Sequence, residues 1–340
     1  MSKLEIELGD VNITAKDKYL IDLCVSSIIS GRLDQLKLML ADVDSSQKIN
    51  SINKVHDALY KAAPDANRTI WDYELKILKS DDDWIYSLMS SMIPDDEKEK
   101  IKKAKINKSS NIASLGSCFA TNISKHLNTL NYKNTFTLRV EEAVNSPRLI
   151  DMYFNPDKVP SSQRGLWDAR FGVESKHIIE IIPKIDIFIL TFGVGWDLVD
   201  RNGDICLDLV SIGEKLTNGE LNFRNPSIEE QSDYIYSCVQ AIRKHNQNAP
   251  ILVTLSPVPL SGFFGLEHVI RANAISKANL VLAIESAKSK AKYVYIPTYE
   301  VVTSIAPVLF QDNIWGEDGT TRHPNNELIR SICESFAKLL

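Results

Sequence analysis

Two kinds of hydrophobic pattern divide the chain near residue 109. Before it, apolar residues recur at the helical period: Leu20, Leu23, Cys24, Ile28 and Ile29, then Leu33, Leu36, Met39 and Leu40 after a break at Gly31. Similar text runs over 52–63, 69–79 and 83–92, with Pro64 and Pro94 closing two of these segments. No copy recurs at a fixed period, so a repeat array is not indicated. Residues 1–108 are therefore predicted to be an all-helical accessory module, for packing or for a protein partner.

From Ser110 onward the pattern changes to α/β. Ile112–Leu115, Ile185–Thr191, Ile251–Leu255 and Tyr293–Ile296 are short runs rich in Ile, Val and Leu without alternation, the signature of parallel strands covered on both faces. Helical patterns separate or follow them at 119–130, 228–246, 271–291 and 326–339. Alternation of this kind predicts that residues 109–340 form a doubly wound three-layer α/β/α sandwich. Ligands of such sheets sit beyond the carboxyl ends of the strands, and the candidate motifs fall there.

After the first predicted strand come Gly116, Ser117 and Cys118, then the amphipathic stretch. Strand, tight turn and helix would present Cys118 in the first turn, where unpaired N–H groups and the helix dipole favour a thiolate. The alternative is a small buried hydrophobe at a strand end. After the second strand, Gly193 and Gly195 allow close backbone approach to a ligand, or simply turn the chain. Ser256 opens a proline-stiffened loop after the third strand, Ser256-Pro257-Val258-Pro259-Leu260. Glu300 follows the fourth and could orient an imidazole or be merely solvated. Asp318 and His323 lie in a polar loop before the last helix, and His323 precedes a proline, which suits a proton-exchanging histidine. His268 follows the glycine-aromatic loop 262–265 and is a candidate for substrate contact.

The segments SLGSCFA, DIFILTFGVGWDLVDRNG, TLSPVPL, ANAISKANLVLAIE, YIPTYEVV and TRHP occur in this order. Over residues 110–340 they resemble the GSCFA-domain family of the SGNH (GDSL-like) hydrolase superfamily. The resemblance implies a flavodoxin-like sandwich and acyl chemistry, as an esterase or O-acyltransferase acting on cell-envelope carbohydrate. It places Cys118 where the superfamily has its nucleophilic serine, Ser117 where it has an aspartate, and His323 at the catalytic histidine. Thr320 stands three residues before His323, where the superfamily has aspartate, leaving Glu300 or Asp318 to orient the ring. Gly195 stands where the oxyanion asparagine is expected. The donors are then the N–H of Cys118, the N–H groups of Gly193 or Gly195, or the side chain of Asn145, the favoured one. A second reading keeps the fold and makes it a binding or scaffold protein without catalysis.

Composition narrows the setting. The 340 residues are 44% hydrophobic and 24% charged, with a net charge of −5, which argues against a nucleic-acid partner. No apolar run reaches the roughly 18 residues of a membrane span, and acidic residues occupy the place of a signal-peptide core. A cytoplasmic location is expected. The five cysteines form no C-x-x-C pair, so neither a metal site nor a disulfide framework is signalled. No required cofactor is expected. Acyl-CoA is a candidate donor and a carbohydrate a candidate acceptor, although no G-x-x-x-x-G-K-[ST] phosphate loop is present.

Overall fold

A computed structural model describes residues 83–139, 145–208, 210–263, 265–309, 314–315 and 322–340. The helical text before residue 83, Asp318 and Thr320 lie outside the described residues. Residues 78–340 form one compact unit.

Five parallel strands make the main sheet: β1 (Ile112–Gly116), β2 (Asn134–Arg139), β3 (Ile187–Phe192), β6 (Ile251–Leu255) and β7 (Val294–Tyr295). The intervening β4 (Asp197–Asp200) and β5 (Leu221–Arg224) pair antiparallel as a separate hairpin. The sheet order is β2-β1-β3-β6-β7. Counting its own strands only, that is 2-1-3-4-5, the flavodoxin-like order, whose topological switch point lies between β1 and β3. β1 and β3 pair in register, Ile112 beside Ile187 through Gly116 beside Thr191. Every residue of β1, β3 and β6 is buried, which explains why these strands are mostly apolar without alternation.

Helices cover both faces, and the expected α/β class is found. The longer ones are α1 (Trp84–Ser91), α2 (Asp95–Lys103), α3 (Cys118–Thr129), α4 (Pro147–Phe154), α5 (Gly172–Ile181), α6 (Ile228–His245), α7 (Val269–Lys288) and α8 (Asn326–Leu339). On one face α3 lies on β1 and β2, α8 packs on α3, and α1 packs on α8. On the other, α4, α6 and α7 pack side by side over a core that includes Phe188, Leu190, Val253 and Leu255. Helices α1 and α2, which the sequence pattern groups with the helical first third, thus contact the α/β body through α8.

Several elements escape the sequence pattern, among them the β4–β5 hairpin, β2 and α4. β2 reads NTFTLR, polar enough to pass for a loop, and is a strand because β1 offers it a free edge. α4 is capped by Ser146, whose Oγ accepts from the N–H of Leu149. Pro147 fills its first position, where no N–H is needed.

Candidate active site

The turn after β1 is built by one glycine. Gly116 has φ of +124°, and a Cβ there would lie 2.0 Å from the carbonyl oxygen of Thr191 on the neighbouring strand. Only glycine lets β1 lie this close to β3 and still turn. The next residue, Ser117, ties the turn down: its N–H donates to Thr191 O at 3.1 Å. Its hydroxyl accepts from the N–H of Phe119 as the cap of α3. Ser117 is thus a structural member of the turn. Cys118 is the first residue of α3 and is half-buried.

His323 comes from the other end of the chain. Pro324 bridges to Trp315, the N–H of Asn325 donates to Ile314 O, and the Asn325 side chain caps α8. These contacts fix the backbone beside His323. Because α8 packs on α3, the imidazole arrives at the thiol: Cys118 Sγ and His323 Nε2 are 3.7 Å apart. That is within reach of a hydrogen bond to sulfur and is the loose spacing expected of a nucleophile–base pair without substrate.

A pocket of about 160 Å³ opens beside this pair, lined by Ser117, Cys118, Asn145, Gly193, Ser256 and Arg322 among others, with Val258 to Gly262 as its outer wall. It lies over the β1/β3 switch point. Asn145 reaches it from the segment before α4. A Cβ on Gly193 would stand 2.8 Å from Asn145 Oδ1 and 3.0 Å from Ser117 Cβ, so Gly193 is the residue that lets Asn145 approach the turn. Next to Asn145, the hydroxyl of Ser146 donates to Asp197 Oδ1 at 2.6 Å. Asp197 is fully buried and also pairs with Arg224 and Arg148. This buried ionic cluster fixes the base of the Asn145 segment.

Other residues singled out from the sequence fall elsewhere. Gly195 does not supply an oxyanion donor: its N–H donates to Ser276 Oγ at 2.7 Å, and it packs against α7 away from the pocket lining. His268 is exposed and caps α7, its Nδ1 accepting from the N–H of Ile270, and it does not line the pocket. Glu300 takes the hydroxyl of Tyr295 on both oxygens, at 2.9 and 3.0 Å, and is bonded there and not to His323. Burial raises the Glu300 carboxyl above its usual range. Ser256 lines the pocket, but its hydroxyl accepts from the N–H of Val258 and shapes its own loop.

One residue was missed by reasoning from sequence. Lys277, on α7, is only 3% exposed. Its Nζ donates to Gly193 O at 2.8 Å and to Ser256 O at 2.7 Å. A lysine in a helix ordinarily reads as solvated. The available signal was its place three residues before Leu280 and seven before Ile284, on the buried side of α7.

Comparison with known proteins follows this geometry. The sequence pattern of the GSCFA family matches residues 159–336, more than half of the chain. The chain belongs to the GSCFA family. The match begins downstream of Cys118 and Asn145, so in this GSCFA protein the roles of those two residues rest on the geometry above. Among solved structures, a peptidoglycan O-acetylesterase is similar with a TM-score of 0.30 and 14% identity, over 60% of this chain and 46% of that one. The chain therefore spans less than half the length of that protein. No curated protein matches the sequence. No helix among the described residues is long and apolar enough to cross a membrane.

Proposed function

We propose that this GSCFA protein is an acyl-transfer enzyme with a cysteine nucleophile. The observation that carries the reading is the 3.7 Å approach of Cys118 Sγ to His323 Nε2 at the edge of a pocket over the switch point. A binding or scaffold role would leave no reason for these two groups to converge there from opposite ends of the domain.

The thiolate of Cys118 attacks the carbonyl carbon of an acyl donor, forming a C–S bond and an oxyanion. The N–H of Cys118 at the start of α3 and the Asn145 amide face this charge. Collapse expels the donor's alkoxide or thiolate, which takes a proton from the His323 imidazolium. A thioester remains on Cys118. His323 then accepts a proton from water or a sugar hydroxyl, whose oxygen attacks the thioester, and the C–S bond breaks to return the thiolate. The third member of a serine triad is less needed here, because a thiolate is activated by its own acidity. No cofactor takes part in these steps. Acyl-CoA is the proposed donor for transfer, and a cell-envelope carbohydrate the proposed acceptor.

The pocket volume is close to that of a cavity that holds benzene, so it suits a short acyl group. Incubation with acetyl-CoA or with a simple acetyl ester, followed by intact-mass analysis, tests the reading. An acetyl adduct that maps to Cys118 and is absent from Cys118→Ser is expected. Turnover that survives in Cys118→Ala would overturn it.

A further inference from the structure

Lys277 has no place in the mechanism above, yet it is the most deeply enclosed cation at the site. Its two hydrogen bonds run to the first carbonyls beyond two adjacent parallel strands, Gly193 after β3 and Ser256 after β6. Both residues line the pocket. The same half of α7 makes three further ties: Ser276 Oγ to the N–H of Gly195, Asn273 Oδ1 to the N–H of Leu260, and Ala272 O to the indole N–H of Trp196. Helix α7 is therefore the template on which both rim loops are laid. Turning the Gly193 carbonyl toward Lys277 also turns the Val194 N–H the opposite way, since a trans peptide is planar.

The charge is the part that needs a reason. Burying an ammonium is costly by itself, and a neutral donor could satisfy two carbonyls equally well. Burial draws Lys277 down to about 7. The anionic form of Cys118 favours its charge, and Arg322 opposes it. Among the described residues, His323 is the other titratable group at this edge of the pocket. Cys118 lines the same pocket as Gly193 and Ser256, the two residues whose carbonyls hold Lys277, so among the described residues its thiol is the group whose ionisation can compensate the buried ammonium.

We propose that Lys277 is a positioning residue that ties the two rim loops together and whose ammonium holds Cys118 as the thiolate. This rests on Cys118 being the nucleophile. The coupling is mutual: whatever Lys277 does for the thiolate, the thiolate does for Lys277.

The test is the pH dependence of iodoacetamide labelling at Cys118, mapped by mass spectrometry in the full chain. Lys277→Met removes donors and charge, whereas Lys277→Gln keeps two N–H donors without charge. In both, labelling of Cys118 at pH 7 is expected to slow by about tenfold, the change one pKa unit produces, with the profile displaced to higher pH. Ethylammonium, but not ethanol, should restore the rate in Lys277→Ala. A fold-independent measurement uses the unsubstituted protein with ¹³C-labelled lysine: alkylating Cys118 should lower the titration midpoint of the buried lysine. Unchanged labelling in folded Lys277→Gln, or a midpoint indifferent to alkylation, overturns the proposal while leaving Cys118 as nucleophile. If wild-type Cys118 labels no faster than an ordinary thiol, the nucleophile assignment falls, and this proposal with it.

Discussion

Cys118 and His323 are 205 residues apart in sequence and 3.7 Å apart at Sγ and Nε2. The pairing depends on two separate constructions: the Gly116 turn that starts α3, and the bridge and cap that start α8. Each half can be tested alone.

Removing the imidazole should leave the nucleophile in place. His323→Ala is expected to form the thioester more slowly, by about a hundredfold to ten-thousandfold, the range for loss of a positioned base. Cys118→Ala should form none. Stopped-flow acylation and intact mass measure both. Equal acylation in wild type and His323→Ala would show that His323 takes no part in forming the thioester.

Gly116→Ala should damage the fold as well as the site. The added methyl would meet Thr191 O at 2.0 Å, and the residue sits at φ +124°. Strain of this kind costs about 1–3 kcal/mol from the backbone alone, and the clash adds to it. A fall of several degrees in Tm is expected. A variant with wild-type Tm and activity would mean that β1 and β3 are not this close.

Asn145 and Gly193 should behave as one unit. Asn145→Ala removes the proposed side-chain donor, and kcat should fall by about a hundredfold to a thousandfold with KM little changed. Gly193→Ala places a methyl 2.8 Å from Asn145 Oδ1 and should produce a similar loss. The double variant should be scarcely worse than either single one, because both act through the same group. Full additivity in the measured kcat values would separate them.

Lys277 makes stability depend on pH in a definite direction. Burial holds it at about 7 in the folded chain, against about 10.4 for an unperturbed lysine. Below pH 7 the folded state bears the whole desolvation cost. Between these two values the unfolded chain keeps a proton that the folded chain has released, so stability rises with pH. Lys277→Met leaves the Gly193 and Ser256 carbonyls without their donor at every pH but removes the ammonium's desolvation cost only at low pH, so its net cost to stability is expected to be smaller at pH 6 than at pH 9. Urea midpoints at the two pH values check this, and an equal effect at both would contradict it.

The buried carboxylate Asp197 should be costly to remove. It receives Ser146 Oγ and pairs with Arg224 and Arg148. Asp197→Ala takes the acceptor from Ser146 Oγ and the carboxylate from Arg148, while Arg224 keeps Glu230, and should destabilise by about 1–3 kcal/mol, read from urea unfolding. Asp197→Asn keeps the hydroxyl partner and should lose less.

The α/β body was legible because its central strands carry a strong local signal. β1, β3 and β6 are buried on both faces and are mostly apolar, with one small hydroxyl residue each, Ser114, Thr191 and Thr254. The Gly116 turn was legible for the same local reason, since a glycine before a serine cap and an amphipathic run has few other meanings. β2 was not legible, because an edge strand can be polar. Motif position offers the Gly195 N–H as one alternative donor, but it faces α7, and only packing decides which way a peptide points. The glycine-aromatic loop before it makes His268 a candidate for substrate contact, but it caps a helix in solvent.

What the sequence alone determined is the α/β class with its central strands and the main helices between them, the elbow at Gly116 to Cys118, and a histidine held ready before the last helix. These are local matters of periodicity, capping and backbone freedom. What only the tertiary structure decided is which side chains meet. The Cys118–His323 approach, the seating of Asn145 against Gly193, and the burial of Lys277 under two loops all join residues far apart in sequence. Each depends on the exclusion of water and on peptide orientation at the ends of neighbouring strands, and neither has a local signature along the chain.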